Sequence, residues 1–248
     1  MIEISTRQFA GIEALYAAPA DAENHALPTV LFYHGFTSSK TVYSYFAVAL
    51  AQAGFRVIMP DAPDHGARFS GDAAHRMTQF WQILHATITE YPALRDALRE
   101  QGITGESGLA IGGASMGAMT ALGIMTHHPE VRAVAALMGS GYFTSLSRTL
   151  FPPQAEEAQA IAAALAPWDV EAQLARVADR PLLLWHGEED DVVPASQSFR
   201  LAAELLEQKL NAHLTCLWQP GVKHRITPEA LEATVAFFSR YFQAHQGA

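Results

Sequence analysis

The chain has 248 residues, 50% of them hydrophobic and only 17% charged, a balance that excludes a disordered protein and predicts a single globular α/β domain with a sizeable core. Sixteen lysines and arginines stand against 25 aspartates and glutamates, a net charge of -9 without a basic patch, which weighs against nucleic acid and anionic membranes as partners. One cysteine, Cys216, excludes an intramolecular disulfide framework and fits a reducing compartment.

The N-terminal stretch MIEISTRQFAG carries Glu3 and Arg7 and no apolar core, so no signal peptide is expected and the cytoplasm is the default location. Two short runs, residues 2–4 and 12–16, predict an antiparallel hairpin at one sheet edge. In chain order there follow a strand at Thr29–Tyr33, a helix at Val42–Ala53, a strand at Arg56–Met59, and a helix at Thr78–Glu100 interrupted at Pro92. A strand at Gly108–Gly112, a helix at Met116–His128 and a strand at Arg132–Met138 come next. Beyond residue 179 lie strands at Pro181–Trp185 and His213–Trp218 and helices at Ser196–Lys209 and Pro228–Phe242. Thr227 is placed to cap the last helix, with Pro228 at its first position and Leu231, Val235 and Phe238 along one face. This alternation predicts βαβ units in a mostly parallel central sheet of about eight strands with helices on both faces.

Two segments depart from the rhythm. From Ser107 to Thr126 no residue is charged, a length of roughly 20 residues that would span a bilayer. Gly108, Gly112, Gly113, Gly117 and Gly123 instead suit a buried strand, a tight turn and a buried helix, and no membrane insertion is expected. Residues 141–179 hold an aromatic loop, the breaker pair Pro152 and Pro153, an alanine-rich helix, Pro167 and a shorter helix. The part at about 141–168 is expected to form a small helical cap within the single domain.

Between the third predicted inner strand and its helix stands GxSxG: Gly113, Ala114, Ser115, Met116, Gly117. A strand-to-helix turn holds its nucleophile in a strained conformation, and glycines two residues to either side let neighbouring backbone approach. Ser115 would stand at a helix N-terminus, where the Met116 N–H can point at a developing oxyanion. In FYHGFTSS, Gly35 lets the loop turn towards the nucleophile, so that the Phe36 N–H supplies a second donor. A serine hydroxyl needs an imidazole base, itself oriented by a carboxylate. Of eleven histidines, His224 has the best context, on the loop between the last strand and last helix. His34 and His186, each before a glycine after a strand, are read as loop-stabilising, and Asp61, Asp64 and His65 as holding the loop after the fourth strand.

With these residues in place, the chain resembles the α/β-hydrolase fold, in particular small bacterial carboxylesterases of the dienelactone-hydrolase-like and prolyl-oligopeptidase-like group. The resemblance spans nearly the whole chain and rests on HGF at 34–36, PDAPDHGAR at 60–68, GASMG at 113–117, HGEEDDVVP at 186–194 and the late His224. MIEI, FYHGFTSS, GGASMGAM and WQPGVKHRITPEAL are similar to the YjfP-type esterases within that group. The family pattern HGxxDxxVP falls on His186, Gly187, Asp190, Val193 and Pro194, which implies Asp190 as the acid; Asp191, one residue on, is its competitor. Dienelactone hydrolases proper use a cysteine nucleophile where this chain has Ser115, so that substrate does not carry over.

The resemblance implies a serine carboxylesterase acting on small or medium acyl esters through an acyl-enzyme, with water as second substrate and no cofactor. A thioesterase or small peptidase would use the same triad, and a ligand-binding sensor with little turnover would share the fold. Neither EEDD at 188–191 nor DAPDHG at 61–66 has the spacing of a hydrolytic metal centre, so no metal is expected. Among Phe36, Phe80, Trp81, Tyr142, Phe143 and Phe151, the substrate contacts expected are Phe36 and Tyr142. Nothing in the sequence specifies an oligomeric state.

Overall fold

Eight strands form one sheet in a computed structural model that describes residues 1–20, 22, 26–105 and 108–244. They are β1 (Ile2–Phe9), β2 (Ile12–Pro19), β3 (Thr29–Tyr33), β4 (Arg56–Pro60), β5 (Leu109–Ala114), β6 (Val131–Leu137), β7 (Leu182–Gly187) and β8 (Leu214–Gln219). Their spatial order is β1-β2-β4-β3-β5-β6-β7-β8. Pairing is antiparallel between β1 and β2 and between β2 and β4, and parallel everywhere else. The predicted hairpin edge and the parallel sheet are both present, with strand ends within two residues of expectation over β3 to β8.

The inner strands β3, β4 and β5 are buried along their whole length, as the continuous apolar runs require for a sheet covered on both sides. Alternate side chains feed two cores. Leu31 and Ile111 point into one, while Val30, Phe32 and Ala110 point into the other. The second core is closed by α1 (Ser44–Gln52), through Phe46 and Leu50, and by α9 (Pro228–Ala244), through Ala230 and Phe238. In α9 the N-cap forms as predicted: Thr227 Oγ1 accepts from the Ala230 N–H at 3.1 Å.

The first core lies under α3 (Phe80–Glu100) and α4 (Met116–His127), with α5 (Phe143–Leu146), α6 (Ala155–Leu165), α7 (Leu174–Ala178) and α8 (Ser196–Glu207) beyond them. Residues 116–126 of α4 are all buried, which explains the uncharged run: it is a central strand followed by a helix enclosed on every side. Ser107, the first residue of that run, lies outside the described residues. No helix among the described residues is long and apolar enough to cross a membrane.

The helical segment predicted at residues 78–100 is corrected at both points. Pro92 does not interrupt α3, which runs unbroken from Phe80 to Glu100 because Ile88, Tyr91, Leu94 and Leu98 keep one face buried past the missing N–H. The break comes earlier, at Gln79, behind a separate helix α2 (Ala73–Thr78) whose start is capped by Asp72 accepting from His75 N–H.

Candidate active site

Ser115 occupies the one-residue turn between β5 and α4, with φ +57° and ψ -119°. That backbone is strained for any residue but glycine, and it leaves the side chain at the helix N-terminus. The flanking glycines are there for contact. A Cβ on Gly113 would lie 2.2 Å from the Gly117 carbonyl oxygen, and one on Gly117 would lie 2.1 Å from the Tyr33 carbonyl oxygen. The turn is pinned by Ser115 N–H donating to Leu137 O at 2.9 Å.

Two loops bring the partners. The segment after β7 and the segment after β8 are tied together by Glu188 N–H to Gln219 O (2.9 Å) and Glu189 N–H to Val222 O (3.0 Å). Gly187 permits this, since a Cβ there would meet Val222 O at 2.4 Å. The result is a continuous chain of polar atoms. Ser115 Oγ lies 2.9 Å from His224 Nε2, and His224 Nδ1 lies 2.8 Å from Asp190 Oδ2. A carboxylate only accepts, so Nδ1 carries the proton and Nε2 presents its lone pair to the serine hydroxyl.

The Asp190 side chain is fully enclosed and its carboxylate is saturated. Oδ1 accepts from the Val192 and Val193 N–H groups, both at 2.9 Å, and Oδ2 receives His186 Nε2 at 3.1 Å beside His224. Burial alone would favour the neutral acid, but the bonds from His186, His224 and the Val192 backbone outweigh it and hold the carboxyl well below its ordinary range. Asp191, the competitor, is 55% exposed and pairs with Lys223 Nζ at 3.1 Å.

His186, expected only to stabilise its loop, also contacts Asp190, which the sequence reading misses. Its Nε2 faces two acceptors, Asp190 Oδ2 and Val193 O at 2.9 Å, so that nitrogen carries the proton, while Nδ1 meets Ser198 Oγ at 2.7 Å. The position of a histidine four residues before Asp190 is the available signal.

The loop after β3 passes directly over Ser115: a Cβ on Gly35 would stand 3.5 Å from Ser115 Cβ. Among the described residues nothing accepts a hydrogen bond from the N–H of Phe36 or Met116, the two donors expected to face an oxyanion. Around this point two cavities meet, both bordered by Phe36, Ser115 and His224. One, of about 250 Å³, is walled by Ser38, Tyr43, Tyr45 and Arg225. The other, of about 230 Å³, is walled by Met77, Phe80, Leu150, Phe151 and Val192. Phe36, Phe80 and Phe151 pack ring against ring there, with centroids 4.8–5.4 Å apart. A larger cavity, of about 820 Å³, lies away from these residues and is lined by Arg95, Arg99, Glu130 and Arg132.

The expectation that Tyr142 contacts substrate is corrected. Tyr142 is fully buried, donates its hydroxyl to Glu204 Oε2 at 2.6 Å, lies under the Arg200 guanidinium and borders neither cavity at Ser115. Among the described residues no cluster of three or more His, Cys, Asp or Glu side chains is arranged to hold a metal ion. Asp61, in the DAPDHG stretch, is instead taken up by Lys40 and by the Lys40 and Ala67 N–H groups.

Comparison with known proteins places this geometry in a family. Residues 41–245 match the prolyl oligopeptidase family. Esterase YjfP of Escherichia coli (strain K12) is 59% identical over 97% of this chain and 100% of its own length. Putative esterase YitV of Bacillus subtilis (strain 168) is 29% identical with the same coverage. The crystal structure of TT1662 from Thermus thermophilus shares the fold at a TM-score of 0.81 and 21% identity, with 98% of both chains covered. The chain therefore belongs to the prolyl oligopeptidase family and has its α/β-hydrolase fold.

Proposed function

We propose that the protein is a serine carboxylesterase that hydrolyses esters of small or medium acyl groups through an acyl-enzyme. The observation that carries this reading is the unbroken relay Ser115 Oγ, His224 Nε2, His224 Nδ1, Asp190 Oδ2, with both contacts under 3 Å. The names of the two full-length relatives support it.

In this reading Ser115 Oγ attacks the ester carbonyl carbon as its proton passes to His224 Nε2, and Asp190 stabilises the imidazolium. The carbonyl oxygen, now negative, accepts from the Phe36 and Met116 N–H groups. Collapse of the tetrahedral intermediate breaks the C–O bond, and the leaving alcohol takes the proton from His224. Water then repeats the sequence on the acyl-enzyme, giving the carboxylic acid and regenerating Ser115. The apolar cavity under Phe80 and Phe151 suits the acyl group, and its volume of about 230 Å³ limits chain length. The segment from α5 to α6 acts as a small cap, because Leu150 and Phe151 at its centre wall that cavity.

The family also contains peptidases by name, so amide hydrolysis by the same residues is the second reading. A fluorophosphonate should label the wild type and fail to label Ser115→Ala. Turnover on esters of graded acyl length should exceed that on matched thioesters and aminoacyl amides. Labelling that survives Ser115→Ala would overturn the nucleophile assignment, and faster amide turnover would favour the peptidase.

A further inference from the structure

Thr37 has φ +60°, in the left-handed region that a β-branched residue rarely enters. It is the third residue of a four-residue turn closed by Ser38 N–H to Gly35 O at 3.2 Å, a position where a positive φ normally calls for glycine. Something else must hold it, and the Thr37 N–H donates to His65 Nε2 at 2.9 Å, 28 residues further along the chain.

His65 is built to accept that bond. It is fully buried, and its Nδ1 lies 2.8 Å from the Pro63 carbonyl oxygen, which can only accept. The proton therefore sits on Nδ1 and the lone pair on Nε2, and only this neutral tautomer satisfies both contacts. The His65 ring also packs against the Phe36 ring at 5.3 Å. Other bonds join the same two loops. His34 Nε2 accepts from Ala62 N–H at 3.0 Å and Asp61 Oδ1 from Lys40 N–H at 2.8 Å. Of these, only the bond accepted by His65 comes from a residue next to Phe36.

We propose that His65 is a positioning residue of the oxyanion hole: its Nε2 lone pair holds Thr37 in the strained turn and so keeps the Phe36 N–H directed at the space above Ser115. This rests on the reading of Ser115 as nucleophile. The strain at Thr37 is then part of the site's preorganisation, and the DHG stretch at 64–66 serves the loop after β3 as well as its own.

The test compares kcat and KM on one ester for the wild type, His65→Ala, His65→Gln, Thr37→Gly and the double variant His65→Ala/Thr37→Gly. Losing one oxyanion donor costs about 10²–10³-fold in kcat, so a misdirected one should cost about 10–100-fold in His65→Ala, with KM within about threefold. Gln keeps an acceptor near the ε position and should recover most of the loss. In the Thr37→Gly background, where glycine needs no restraint, removing the imidazole should cost no more than about threefold. A folded His65→Ala with wild-type kcat, or an equal loss in both backgrounds, would overturn the proposal.

Nitrogen-15 shifts of the wild-type imidazole at pH 7 supply a measurement independent of any variant's folding: a protonated Nε2 on His65 also overturns it. A wild type that neither hydrolyses esters nor reacts with a fluorophosphonate would instead defeat the underlying esterase reading.

Discussion

Asp190 and Asp191 differ by one position and have opposite surroundings: one carboxylate receives four hydrogen bonds in full enclosure, and the other extends into solvent beside Lys223. In the proposed mechanism Asp190→Asn removes the acceptor that fixes the His224 tautomer, and kcat should fall on the order of 10³–10⁴-fold. Asp191→Asn should leave kcat within about twofold, because an exposed pair contributes little. Steady-state rates on a single ester decide between them, and a larger loss at Asp191 would refute the choice. The sequence could reach this residue only through the HGxxDxxVP register, since no periodicity fixes side-chain direction in a loop. Tyr142 shows the same limit from the other side. An aromatic near a predicted site carries no mark of whether its hydroxyl meets substrate or, as here, Glu204 on a distant helix.

At the scale of elements, the turn between β5 and α4 depends on how closely α4 approaches β3. Gly117→Ala would drive a Cβ to 2.1 Å from the Tyr33 carbonyl oxygen, a backbone atom that cannot swing aside as a side chain can. Overpacking of this kind costs about 1–3 kcal/mol. Urea denaturation should show a lower midpoint for Gly117→Ala, and an unchanged midpoint would mean that α4 has room to shift. Strands and the central helix were legible because apolar runs bounded by glycine, proline and charge leave little choice of state, and Ser115 was legible because two glycines bracket it. The break at Gln79 was not, because nothing in Thr78–Phe80 breaks a helix by propensity. Nor was the continuity of α3 through Pro92, since four buried side chains outweigh a rule about one missing N–H. His65 and His186 act across loops joined only by the fold, at separations of 28 residues to Thr37 and 12 to Ser198, and sequence alone does not pair them.

For the whole molecule, the site collects at the carboxyl ends of β3, β4, β5, β7 and β8, and buried imidazoles clip the loops there to one another. That arrangement makes stability depend on pH with a definite sign. Burial, helped by the nearby His65 and Lys40, lowers His34 from 6.5 to about 4 against the smaller effects of the Gly35 carbonyl and Asp61, and burial lowers His65 in the same direction. The unfolded chain therefore takes up both protons as pH falls through 6.5, while the folded chain resists, at His34 until about 4. Unfolding free energy should be complete above pH 6.5 and decline between 6.5 and 4, with His34 alone contributing ~3 kcal/mol over that window. His127 and His128, also lowered first by burial, add to the same slope. Asp61, whose carboxyl lies below its ordinary 3.8 because bonds from Lys40 and Ala67 outweigh burial, begins to contribute only below about pH 4. Urea titrations at half-unit steps from pH 7 to 4 test this, and His34→Gln, which has no proton to take up, should flatten the curve. A wild-type stability that stays level across the window would mean that His34 is charged or solvated in the folded protein, and the clip between the loops after β3 and β4 would then need another explanation.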